Sequence, residues 1–207
     1  MVKPWHVHAA ASIGYEYRAD TLALVPGRPL FWDKIDRINK AIADAADGDL
    51  VVWMDSDCII RKPTDFNQAL PPEANLGLVK AVDGWFNGGV HIVRVCPATR
   101  AFYTEHFRRG PVLPDERARE PGAMGRAGGD DSRTNQMLHR GFNGIVAHSV
   151  ERKWNCSRIT PAPHMEPLDR LKYPLVEGFH CEAHRTKLVL MADRLGLVRK
   201  QNGWNPA

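Results

Sequence analysis

The sequence predicts an α/β fold, and three observations predict it. The run Leu50–Met54 (LVVWM) is continuously apolar and bounded by a turn and by charge, which fits a strand buried on both faces as in a parallel sheet. An amphipathic helix precedes it, with Trp32, Ile35, Ile38 and Ile42 at helical spacing. Further strand-like and helix-like segments then alternate along the chain, the pattern of α/β layers. The expected architecture is a mixed, mostly parallel sheet flanked by helices, in one domain over residues 1–207, with 28–190 best supported.

Taken in order, His6–Ile13 reads as a short helix broken by Gly14, Tyr15–Tyr17 as a strand edge, and Leu22–Val25 as a short apolar run ended by Pro26-Gly27. The helix from Trp32 carries Asp33, Lys34, Asp36, Arg37 and Lys40 on its other faces, and Asp47-Gly48-Asp49 ends it. Leu76–Val82 and Val90–Val95 are strand candidates, and Pro97–Arg108 has helical character. Gly110–Gly129 is a long loop rich in Pro, Gly and Arg, a composition suited to closing over an anionic ligand. Asp131–Arg140 reads as a helix, Gly144–His148 as a strand, Glu151–Gly178 as irregular and Lys187–Leu195 as a helix before a polar tail.

Composition narrows the function classes. Of the 207 residues 43% are hydrophobic and 25% charged, which excludes a mostly disordered chain. The net charge of +4 suits anionic ligands such as phosphates but is too small to demand nucleic acid. No apolar run approaches the roughly 18 residues of a membrane span, so no transmembrane segment is expected. The N-terminus has no signal-peptide core. The four cysteines are few and widely spaced, which fits reduced thiols and a cytoplasmic location.

Four segments can carry chemistry. Asp55-Ser56-Asp57 follows the LVVWM run, where ligands gather in α/β sheets. Two carboxylates flanking one residue there can hold a divalent cation against a diphosphate; the same triplet also makes an ordinary solvated turn. Asn87-Gly88-Gly89 lets backbone approach a bulky ligand and offers an amide to sugar hydroxyls, although Asn-Gly is equally a hairpin-turn signal. Asp130 and Asp131 open the helix after the long loop, either as its cap or facing a substrate hydroxyl. In the segment Phe179–Lys187, His180 can ligate a metal, and Arg185 or Lys187 can reach a phosphate. A zinc site from Cys156, His164, Cys181 and His184 is the rival there, but the spacings match no familiar finger.

In this order the segments VVWMDSDCIIRKP, WFNGGVHIVR, GGDDSRTNQML and FHCEAHRTK resemble the glycosyltransferases of the GT-A fold. The likeness covers about three quarters of the chain and lies nearest the retaining nucleotide-sugar transferases of family 8 and the galactosyl/mannosyl transferase (family 34-like) group. The resemblance implies that Asp55, Asp57 and His180 bind Mn²⁺ or Mg²⁺, which grips the diphosphate of a nucleotide-sugar donor. It implies that Asn87, Gly88, Gly89, Asp130 and Asp131 shape the donor-sugar pocket, with Asp130 and Asp131 as the candidate catalytic carboxylates. Lys34 matches a basic donor contact and Lys187 a diphosphate contact. Asp131 stands where family 8 usually has Gln. The family's first, base-binding strand is expected to be missing or reduced here.

The implied reaction moves a sugar from a nucleotide diphosphate to an acceptor hydroxyl, with retention. The acceptor is open: a glycan, a lipid-linked sugar, a protein or a nucleic-acid base all fit. Two other classes remain. A metal-dependent nucleotidyl- or phosphotransferase can use the same carboxylates, although its usual Gly-rich phosphate loop is absent. A non-catalytic nucleotide-sugar binding module is the other.

Overall fold

Residues 3–19, 32–80, 84–111, 130–154, 156–157 and 176–178 are described by the structure, a computed structural model. In chain order its elements are α1 (Lys3–Ser12), α2 (Trp32–Asp44), β1 (Leu50–Met54), β2 (Cys58–Ile60), β3 (Leu76–Lys80), β4 (Phe86–Arg94), α3 (Pro97–Arg109), α4 (Asp130–His139), β5 (Ala147–Val150), β6 (Cys156–Ser157) and β7 (Val176–Gly178). They fall into two compact units, one of Asp20–Met54 and Asp65–Arg152, the other of Met1–Ala19, Asp55–Thr64 and Lys153–Ala207.

The first unit is built on a sheet of strand order β1-β4-β3-β5. β4 runs antiparallel to both β1 and β3, and β5 runs parallel to β3. Three strands therefore share one direction and β4 opposes them. The connections explain this: few residues separate β3 from β4, which forces a reversal, whereas β3 reaches β5 only after α3 and α4, the long crossover a parallel pair needs.

The core follows the sequence periodicity. Trp32, Ile35, Ile38 and Ile42 of α2 pack with Leu76, Leu78, Val93 and Val95 of the sheet, Phe102 and Tyr103 of α3, and Met137 of α4. Each such side chain contributes about 1.5–3 kcal/mol on leaving water. α3 starts where it does because Pro97 suits a first helical turn and Thr99 Oγ1 accepts the Cys96 amide at 2.9 Å. Arg94, at the end of β4, donates to the carbonyls of Leu70, Pro71, Pro72 and Ala74 and so pins the loop ahead of β3.

Several expectations are corrected here. β1 is half-buried along its length rather than buried, because among the described residues only β4 pairs with it. Asp33 and Lys34, expected on the faces of α2 away from its apolar stripe, are buried as well. β4 begins at Phe86, four residues earlier than the apolar run suggested, and Asn87-Gly88 lies inside it rather than in a hairpin turn. β5 covers 147–150 instead of 144–148. Its delay has a local cause: Gly144 sits at φ +76°, a left-handed turn that interrupts extended backbone. A Cβ there would also lie 2.8 Å from Ala98 Cβ, and neither atom can swing away. Gly144→Ala is expected to cost about 2–4 kcal/mol, read as a lower denaturant midpoint at unchanged m-value; an unchanged midpoint would refute this account.

In the second unit α1 lies with a sheet of order β2-β7-β6, β2 antiparallel and β6 parallel to β7. Trp5 donates its indole N–H to the Ile60 carbonyl at 2.7 Å, and Cys58, Ile59 and Ile60 are all buried. Tyr15–Tyr17 forms no strand. β6 and β7 arise in the stretch expected to be irregular. The run Leu22–Val25, all of Gly110–Gly129 beyond Pro111 up to the start of α4, the helix expected at Lys187–Leu195 and the tail lie outside the described residues. Among the described residues no helix is long and apolar enough to cross a membrane.

Candidate active site

The double glycine of β4 is a bulge. β3 and β4 pair in steady register through Leu78↔His91, then resume at Val79↔Asn87 and Lys80↔Phe86. Gly88, Gly89 and Val90 are thus extra on the β4 side. Val90 pairs with Met54 of β1, which leaves Gly88 and Gly89 on neither ladder. Such bulges bend a strand and re-aim its side chains, and they gather near active sites.

A bulge gives up ladder hydrogen bonds, so the freed backbone groups need other partners. Side chains supply them. Lys34 Nζ donates to the Gly88 carbonyl at 2.8 Å. The Gly89 amide donates to Asn87 Oδ1 at 2.8 Å, a local turn that asparagine favours. On the strand side of the bulge, the Phe86 amide donates to Asn135 Oδ1 and Asn135 Nδ2 donates to the Phe86 carbonyl, both at 2.9 Å. Asn135 Nδ2 also donates to the carbonyl of Asp131, one turn earlier in α4, at 2.8 Å.

Of the residues singled out in the sequence, Lys34, Asn87, Gly88, Gly89 and Asp131 thus meet in one unit. Lys34 is only 8% exposed, so its ammonium sits beneath the glycine bulge rather than on the helix surface. Asp130 and Asp131 are the first two residues of α4, where negative charge is favoured by the helix dipole. A cleft of about 460 Å³ opens beside Phe86, with Trp85, Phe142, Lys80 and His139 among its walls.

Asp55 and Asp57 belong to the other unit, in the tight turn between β1 and β2 that the Cys58 amide closes on the Asp55 carbonyl at 2.9 Å. Both are half-buried. As paired hard oxygen donors on one turn they fit Mn²⁺ or Mg²⁺ chemically. Among the described residues no group of three His, Cys, Asp or Glu side chains converges as a complete metal site. His180 and Lys187 lie outside the described residues, as do His164, Cys181 and His184 of the rival zinc set.

Sequence reasoning missed the polar layer under α4. Ser132, Arg133, Thr134, Asn135 and Gln136 are all buried. Arg133 donates to the carbonyls of Gly110 at 2.8 Å and Pro111 at 3.0 Å, anchoring the root of the long loop, and to the side chain of Gln136. His106 Nε2 lies 3.2 Å from Thr134 Oγ1, and its ring packs 5.2 Å from that of Trp32. His91 Nδ1 lies 2.7 Å from the Tyr103 hydroxyl. The run DSRTNQ holds no apolar residue to mark it as interior; its one available signal was an Asn in a helix interior, which is unfavourable unless the amide has partners.

His91 has a consequence for pH. Burial, and then electrostatic repulsion from Lys34 and His106, hold its imidazole well below the ordinary histidine range. Burial lowers His6 likewise. The folded chain therefore keeps His91 neutral while the unfolded chain takes up a proton near pH 6.5. Stability from this group is complete above that pH and is lost as pH falls below it, by about 1.4 kcal/mol per unit of pH. The melting temperature is expected to drop between pH 7.5 and 5.5, and to drop less in His91→Gln. An equal pH slope in that variant would remove His91 as the cause.

No protein-family model matches the sequence, and no curated protein matches it. Solved structures do match. A glycosyltransferase involved in the glycosylation of the major capsid of PBCV-1 is 13% identical, with a TM-score of 0.63 over 93% of this chain and 90% of that one. The bifunctional glycosyltransferase WbbM is 14% identical, with a TM-score of 0.50 over 84% of this chain; the match spans 34% of WbbM. At such identities the likeness speaks for the fold, and with the mixed sheet and flanking helices described above it places this chain in the GT-A glycosyltransferase fold.

Proposed function

We propose that this chain is a metal-dependent glycosyltransferase of the kind its sequence resembles, family 8 or the family 34-like group. It would move a sugar from a nucleotide diphosphate to an acceptor hydroxyl with retention. The observation that carries the reading is a GT-A fold in which the Asn87-Gly88-Gly89 segment is bulged out of its ladders, tied to Lys34 through the Gly88 carbonyl and preceded by Phe86, which is bonded to Asn135 of α4.

In this reading Asp55, Asp57 and His180 hold Mn²⁺ or Mg²⁺. When bound, that cation neutralises charge on the departing diphosphate. Gly88 and Gly89 let the backbone approach the donor closely, and Asn87 orients its sugar hydroxyls. Lys34 supplies buried positive charge under this segment, and Lys187 contacts the diphosphate. Asp130 and Asp131 face the sugar. By a front-face or a covalent route, the bond from the anomeric carbon to the β-phosphate oxygen breaks, the acceptor oxygen ends bonded to that carbon, and the acceptor hydroxyl gives up its proton.

Incubation with a panel of nucleotide sugars and Mn²⁺ or Mg²⁺ tests it. Release of nucleotide diphosphate, suppressed by excess chelator, is expected. Pyrophosphate release would make the chain a nucleotidyltransferase, and tight donor binding without turnover a binding module. Full turnover in chelator would refute the metal.

A further inference from the structure

We infer that Asn135 is a positioning residue for sugar transfer: its carboxamide stands in for a missing neighbouring strand at Phe86 and locks the Asn87-Gly88-Gly89 bulge to the first turn of α4. The inference rests on the glycosyltransferase reading above. β1 stops pairing with β4 at Met54↔Val90, so beyond that point β4 has no strand on its β1 side among the described residues. Phe86 pairs with Lys80 of β3 in register, and both its amide and its carbonyl are taken by Asn135. A backbone neighbour in a ladder would make the same two bonds.

The chemistry of the side chain is specific. The Asn135 oxygen accepts one bond, and its NH₂ group makes two, to Phe86 and to the Asp131 carbonyl. Aspartate can only accept, and no apolar residue can do either. Asn135 is 5% exposed, so water does not replace these partners. Ladder bonds to a neighbouring strand would hold this stretch without a buried amide; β1 no longer pairs there, and Asn135 makes the two bonds instead, at the residue next to Asn87. One side chain thereby fixes two segments that the reading places around the donor sugar, and small displacements of such groups cost rate more than binding.

The test compares Asn135→Asp and Asn135→Ala with Ile42→Val, a core change in the same unit outside this network. Each is assayed well below its own melting temperature with the donor and metal the wild type uses. Both Asn135 variants are expected to lose about tenfold or more in kcat while donor KM moves less than about threefold, with Ile42→Val near wild type in both. In the wild type, saturating donor with Mn²⁺ should slow hydrogen exchange at the Phe86 amide. If the Asn135 variants keep kcat within twofold of Ile42→Val, the inference fails while the glycosyltransferase reading stands. If neither variant folds, an unchanged Phe86 exchange rate on adding donor overturns it. A wild type that turns over no donor of the panel refutes the underlying reading, and the inference with it.

Discussion

Asp57→Asn is expected to weaken Mn²⁺-dependent donor binding and turnover on the order of a hundredfold or more, with little change in melting temperature. The two halves of this result have separate causes. Asn is as good a turn residue as Asp, so the backbone closure from the Cys58 amide to the Asp55 carbonyl persists. What disappears is one anionic oxygen donor of a pair, and Mn²⁺ or Mg²⁺ held by a single carboxylate is bound far more weakly. Donor titration by calorimetry at fixed Mn²⁺, beside a thermal melt without metal, separates them. Wild-type donor affinity in the variant would remove Asp57 from the metal site. A collapse of the metal-free melt would make Asp57 a structural residue instead.

Phe102→Ala should be among the most damaging single changes to stability, costing roughly 3–5 kcal/mol. Phe102 is fully buried at the centre of the first unit's core. Its ring meets Tyr103 edge-on at 5.3 Å and Phe142 edge-on at 5.3 Å, and stacks on His106 at 6.0 Å. Truncation removes the burial of a large ring and leaves a cavity bounded by aromatic rings, two of them (Tyr103 and His106) fixed on α3 itself, which collapse poorly around it. Phe102→Leu keeps most of the volume and should cost less than half as much. Equilibrium denaturation of both variants gives the values, and a loss under about 1 kcal/mol for the alanine would show that the site refills.

Much of the fold was legible in the sequence. The stripe Trp32, Ile35, Ile38 and Ile42 is the buried face of α2, LVVWM is β1, and Pro97 marks the start of α3. These are local signals: periodicity, an apolar run and a residue that fits only the first turn of a helix. The order of the chemical segments pointed to the GT-A fold that the comparison with solved structures supports.

What the sequence alone determined, then, is which residues are apolar, at what spacing, and where turns and helix starts fall, because those depend on neighbours in the chain. Only the tertiary structure decided that Lys34 is buried, that Asn87-Gly88-Gly89 is a bulge rather than a hairpin turn, and that DSRTNQ is an interior layer rather than a solvated face. Each turns on a partner far away in sequence. Lys34 finds the Gly88 carbonyl 54 positions on, and Asn135 finds Phe86 49 positions back. A polar side chain goes inside only where a group of opposite hydrogen-bonding character waits for it, and no local pattern records where that group is.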